Sequence, residues 1–111
     1  MALSEVDRNL LNRCLQQQPR SWEDFVDRFL GLVIHVIDHT ALARSVRLRS
    51  QDEEDLAAEI FLNLVQNDFA ILRRFRGESS LGTYLTVVAR RIAVRQLAKQ
   101  QPATRLTELS Q

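Results

Sequence analysis

The chain has 111 residues, a hydrophobic fraction of 45% and a formal net charge of +1. This is one domain of ordinary size with enough apolar side chains for a core, which excludes a disordered chain. Three glycines, two prolines and one cysteine exclude an intramolecular disulfide and a cysteine-cluster metal site, and they favour helices over a many-turned β fold.

The first helix is expected over Ser4–Gln17. Ser4 is a suitable N-cap, Glu5 and Asp7 suit the first turn, and Leu3, Leu10, Leu11, Cys14 and Leu15 form one apolar side. Pro19 ends it. Ser21 is expected to cap a second helix, in which Trp22, Phe25, Val26, Phe29, Leu32, Val33, Val36 and Ile37 recur at spacings of three and four. Gly31 interrupts this run, a position suited to close helix packing. The helix fades near His39–Ala43, and the basic stretch Arg44–Ser50 reads as a last turn or a loop. His35 and His39 have the i,i+4 spacing of helical metal ligands, but no Cys or further His lies near, so they read as ordinary face residues and no metal or cofactor is implied.

A third helix is expected from Asp52 to Asn67, with Leu56, Ile60, Phe61 and Leu64 on its core face. Asp68–Arg74 reads as a short extra turn that packs Phe69, Ile71 and Leu72. Phe75–Ser80 is a loop by composition. Ser79 or Ser80 caps the last helix, whose core stripe is Leu81, Leu85, Val88 and Ile92 and which Pro102 should stop. The expected fold is all-α, a compact bundle of about four main helices. The expected organisation is a domain over 1–101, with an N-terminal helix in 1–20 and a core in 21–101, followed by a polar tail or linker over 102–111. The start of the chain is polar and acidic, and no apolar run approaches the roughly 20 residues a membrane span needs, so a cytoplasmic protein is expected.

Near-neutral net charge conceals two polarised segments. Residues 52–68 hold six acids and no base; residues 73–99 hold seven bases and one acid, Glu78. On the third helix, Asp52, Asp55, Glu59 and Leu62 fall opposite the core stripe at about 100° per residue. A leucine with an acidic rim suits docking on a basic partner; alternatively Leu62 packs on another helix of the same domain. On the last helix, Tyr84, Arg91 and Arg95 lie within about 40° of one another. Arginines neutralise phosphates and an aromatic ring can stack on an unpaired base; the alternative is a solvated arginine flank with Tyr84 half in the core. Catalysis has little support, and a small helical enzyme is a distant third reading. There is no nucleophile elbow, no Gly-rich phosphate loop and no cleft to tune Asp55 and Glu59 as acid and base.

Two motifs then carry a resemblance. Asp52-Glu53-Glu54-Asp55-Leu56-Ala57-Ala58-Glu59-Ile60-Phe61-Leu62 resembles the acidic helix of region two in extracytoplasmic-function sigma factors. Phe75-Arg76-Gly77-Glu78-Ser79-Ser80-Leu81-Gly82-Thr83-Tyr84-Leu85, followed by Ala89-Arg90-Arg91-Ile92-Ala93, resembles the loop and helix that come next there. Trp22-Glu23-Asp24-Phe25 with Arg28-Phe29 is similar to the family's opening helix, so the resemblance spans about Trp22 to Lys99. It implies a transcription initiation domain rather than an enzyme. Asp52, Asp55, Glu59 and Leu62 would dock on the clamp helices of RNA polymerase core. Phe75, Arg76, Gly77, Glu78, Ser79, Ser80, Tyr84, Arg90, Arg91, Arg95 and Lys99 would capture the non-template strand of the promoter −10 element, with one base flipped into a pocket near the loop.

Ala58, Tyr84 and Arg91 stand where the family usually has Gln, Trp and Asn. The first exchange weakens a docking contact, the second leaves a smaller ring, and the third favours phosphate or guanine over amide readout. In the family a region four that reads the −35 element follows; residues 102–111 are expected to be a linker or tail toward it, the alternative being a stand-alone domain. A second reading is a sigma-like module that binds polymerase or an anti-sigma factor without reading DNA.

Overall fold

Four helices form in this computed structural model, which describes residues 3–109, with side chains described through Lys99. They are α1 (Glu5–Leu15), α2 (Ser21–Ala43), α3 (Ser50–Arg73) and α4 (Leu81–Leu109). No strand occurs among the described residues, and the all-α bundle is as expected.

Helix α1 begins where Ser4 Oγ accepts the Asp7 amide at 3.2 Å. Leu10, Leu11 and Cys14 bury its inner side. Polar contacts then tie it to α2. The buried Asp7 carboxylate pairs with Arg28, and Arg13 Nη2 meets Asp24 Oδ2 at 2.8 Å. The Cys14 thiol donates to the Ser21 carbonyl at 3.3 Å. Burial pushes that thiol above its ordinary range, so Cys14 is a packing residue rather than a nucleophile.

The cap of α2 departs from expectation. Arg20, at φ 62°, is the N-cap, and Ser21 is the first helical residue. Ser21 is buried and its hydroxyl points back, donating to the Gln18 carbonyl at 2.7 Å. The tight turn after Pro19 uses the side chain to close itself, so it is unavailable to the helix amides. Gly31 also departs: it is exposed, and a Cβ added there would meet nothing within 4 Å. It serves no close packing, because the stripe of Phe25, Phe29, Val33, Val36 and Ile37 turns it outward.

Residues 44–49 form a turn and a loop, which settles the ambiguous basic stretch. Helix α3 starts at Ser50, two residues before Asp52, because Asp52 acts from inside the first turn. Its Oδ2 accepts the Arg49 amide at 3.1 Å. The helix returns along α2. Near one end Trp22 meets Phe61 and Phe69 edge-on, with centroids 6.0 and 5.9 Å apart. Near the other, Asp38 of α2 reaches Glu53.

The expected break after Asn67 is present as a kink. Gln66 is extended, while Asn67, Asp68 and Phe69 have φ of 57°, 57° and 59°. Asn and Asp tolerate this left-handed geometry; for Phe69 it costs about 1–2 kcal/mol. Burial of the Phe69 ring against Trp22 offsets that cost. Arg73 clasps the kink: its Nε donates to the Asp68 carbonyl at 2.7 Å and its Nη2 to the Leu15 carbonyl of α1 at 3.3 Å.

Helix α4 packs most extensively on α2. Its buried face is Leu81, Leu85, Ala89, Ile92, Ala93 and Leu97. The expected Val88 is only half-buried, and Ala89 and Ala93 are buried in the stripe instead. The expected stop at Pro102 does not hold, since α4 runs on to Leu109. Proline removes one amide donor, a cost of about 3 kcal/mol in a helix interior. The residues that follow, such as Ala103, Arg105 and Leu106, are helix formers. Of the expected tail, Ser110 and Gln111 lie outside the described residues.

Candidate docking face and nucleic-acid interface

The core stripe of α3 sets the acidic face. With Leu56, Ile60 and Leu64 buried, Asp52, Asp55 and Leu62 are exposed and Glu59 is half-buried. Leu62 retains 51% of its surface, so it is not packed on another helix of this domain. The face is ordered by contacts along its own helix. Gln51 Nε2 donates to Asp55 Oδ1 at 2.8 Å. Asn63 Nδ2 donates to the Glu59 carbonyl at 2.7 Å and to Glu59 Oε1 at 3.3 Å. Ala58 is exposed beside them, a methyl where an amide would extend the polar rim. At the start of the helix, Glu53 is held above the usual carboxylate range. The Asp38 carboxyl, close enough to share a hydrogen bond with it, is the main cause, followed by partial burial and the charges of Asp38 and Glu54.

The second surface begins in the loop. Gly77 has φ +76°, a conformation that favours glycine. Ser80, rather than Ser79, caps α4: its Oγ accepts the Thr83 amide at 3.1 Å and lies 2.8 Å from the Thr83 hydroxyl. Ser79 instead donates to the Ser80 carbonyl at 3.0 Å. Arg76 and Glu78 are exposed, whereas Phe75 is half-buried. Along α4, Arg90, Arg91, Arg95 and Lys99 are exposed, and none of them forms an ion pair among the described residues.

Tyr84 is not a free ring on this flank. It is half-buried, and Phe75 lies against it with centroids 4.9 Å apart and planes at 40°. Its hydroxyl donates to the Ile71 carbonyl of α3 at 2.6 Å. Desolvation raises its pKa above the ordinary tyrosine range, opposed by the nearby charges of Arg74 and Arg91. The amphipathic pattern placed Tyr84 beside the arginines, but it could not reveal a bond to a residue thirteen positions earlier. The histidine pair has tilted rings 6.2 Å apart, both exposed. Among the described residues no group of three or more His, Cys, Asp or Glu is placed to hold a metal ion, and no helix is long and apolar enough to cross a membrane.

These two surfaces sit within a region that a family model recognises. Sigma-70 region 2 matches residues 25–103, most of the chain, and the chain belongs to that family. It is a family of non-enzymatic transcription factors, and membership supports a sigma-factor-like role in polymerase binding and promoter melting. Helix α1 precedes the matched segment. No curated protein and no solved structure matches the chain.

Proposed function

We propose that the chain is the polymerase-docking and promoter-melting domain of a sigma factor of the extracytoplasmic-function type. Asp52, Asp55, Glu59 and Leu62 form the face that meets the basic surface of the polymerase clamp helices. Residues Phe75 to Ser80, with Arg90, Arg91, Arg95 and Lys99, engage the non-template single strand of the −10 element, and Tyr84 lies behind them, packed on Phe75. The domain is built on the bundle of α1 to α4, with α1 braced against α2.

One observation carries this reading. Arg90, Arg91, Arg95 and Lys99 are exposed without an ion pair among the described residues, on the helix that the Gly77 loop feeds. Unpaired guanidinium groups are suited to phosphate, and an open loop at the head of the same helix is suited to an extruded base. The test is binding of −10-like oligonucleotides by the domain assembled with polymerase core, read by fluorescence anisotropy. Single strand should bind better than duplex, with strong salt dependence; each phosphate neutralised contributes about 0.7 to the log–log slope. Arg95→Ala should lower that slope and weaken all sequences alike. An assembled complex with no single-strand preference and no dependence on Arg91 or Arg95 would leave a module that binds polymerase without reading DNA.

A further inference from the structure

The capture loop leaves α3 at Arg74 and enters α4 at Leu81, and its two ends are fixed by different kinds of contact. At the α4 end, Ser80 caps the helix through the Thr83 amide. At the α3 end Arg74 N meets the Ala70 carbonyl and Phe75 N the Leu72 carbonyl, both at 3.2 Å, the same length as Tyr84 N to the Ser80 carbonyl at the other end. The shortest contact there comes from the other helix, where the Tyr84 hydroxyl reaches the Ile71 carbonyl at 2.6 Å. The same ring carries Phe75, the first loop residue beyond that turn, at 4.9 Å. One side chain of α4 therefore holds both the last turn of α3 and the first aromatic of the loop.

We infer that Tyr84 is a positioning residue, a latch that joins α3 to α4 across the loop, so that base discrimination by residues Arg76 to Ser80 depends on its hydroxyl. This rests on the reading of the loop as the −10 capture site. It differs from a direct stacking role for Tyr84, because Phe75 already lies against the ring and the hydroxyl is already bonded. A stacking platform needs only the ring; a latch needs the oxygen. The carbonyls at the end of a helix lack helical partners, and Ile71 receives one from a side chain that only tyrosine supplies in this geometry.

The experiment compares Tyr84→Phe with the parent chain in two measurements. The first is amide hydrogen exchange of the free protein. The second is discrimination between −10 variants by the domain assembled with polymerase core. In Tyr84→Phe, exchange at Arg74 and Phe75 should accelerate roughly three- to tenfold, the scale of one net hydrogen bond. Exchange in the middle of α2 should stay unchanged, which separates a local latch from general loss of stability. Preference among −10 variants should fall by a similar factor, while the salt slope set by the arginines is retained. Tyr84→Leu, which also removes the ring, should lose more of both.

Unchanged exchange at Arg74 and Phe75 overturns the latch, and so does acceleration spread evenly over α2. Local loosening with full base discrimination overturns it as a specificity device. If Arg91→Ala and Arg95→Ala still weaken single-strand binding in that case, the capture reading survives the failure. If they do not, the capture reading falls with it.

Discussion

The acidic face of α3 and the basic flank of α4 are both exposed, but they are built on different principles. Asp52, Asp55, Glu59 and Leu62 occupy one continuous helix, and each hydrogen bond that orders them comes from within four residues. The loop and basic flank combine a local cap at Ser80 with contacts between helices, the Tyr84 bond to the Ile71 carbonyl of α3 and the Phe75 ring packed on Tyr84 of α4. A face made by one helix keeps its shape whenever the helix forms. A surface made by a loop between two helices keeps its shape only while both helices keep their relative placement. The docking face should thus tolerate single substitutions locally, and the capture surface should respond to changes made outside it.

The largest effect should come from removing the support that both surfaces share. Ile60 is 1% exposed and lies under the acidic face. Ile60→Ala should destabilise the fold by about 2–5 kcal/mol, and thermal denaturation would measure it. The two surfaces should be lost together, so retention of DNA binding with loss of docking would show them to be energetically separate.

Next in size is charge reversal on the docking face. Asp55→Arg or Glu59→Arg should weaken polymerase binding severalfold while changing stability by no more than about 0.5 kcal/mol, since neither side chain supports the core. Leu62→Ala should weaken binding too, by removing the apolar centre of the patch. Pull-down against polymerase core, with melting curves in parallel, checks both. If the reversals bind like the parent chain, the acidic face is only a solvated one.

A pH experiment sharpens the other side. Tyr84 is the single tyrosine, so the phenolate absorbance band reports it alone. Desolvation raises its pKa, which means that the folded state holds this proton more tightly than the unfolded chain does. The associated stability is present below the unfolded tyrosine value of about 10 and is lost as pH rises through the folded value. Absorbance titration should show ionisation above the ordinary range, returning toward it in denaturant. Ionisation at the ordinary value in the folded protein would show the ring to be solvated and unlatched.

The smallest effect concerns the junction of α2 and α3. Asp38 is the main cause of the raised Glu53 pKa. A carboxyl with a raised folded value favours the fold while protonated, and that contribution is lost as pH rises through the folded pKa. Asp38→Asn should remove part of this dependence and slightly raise stability at neutral pH relative to acid. Melting temperatures at two pH values would detect it, and an unaltered pH profile would exclude the coupling.

Much of this molecule was legible in the sequence because helix periodicity is a local property. The stripe from Phe25 to Ile37, the stripe from Leu56 to Leu64, and therefore the outward turn of Asp55 and Leu62, follow from spacings of three and four residues. The break after Asn67 and a serine cap at 79 or 80 were also readable, though only the structure chose Ser80. Tertiary structure decided the rest. Ala89 and Ala93, rather than Val88, are buried on α4, and the left-handed Phe69 is held by burial of its ring against Trp22. Neither is set by neighbours in sequence alone. The bond from Tyr84 to Ile71 is the clearest case: it joins two helices across the capture loop, and its formation depends on how they pack, a distance that no helical repeat specifies.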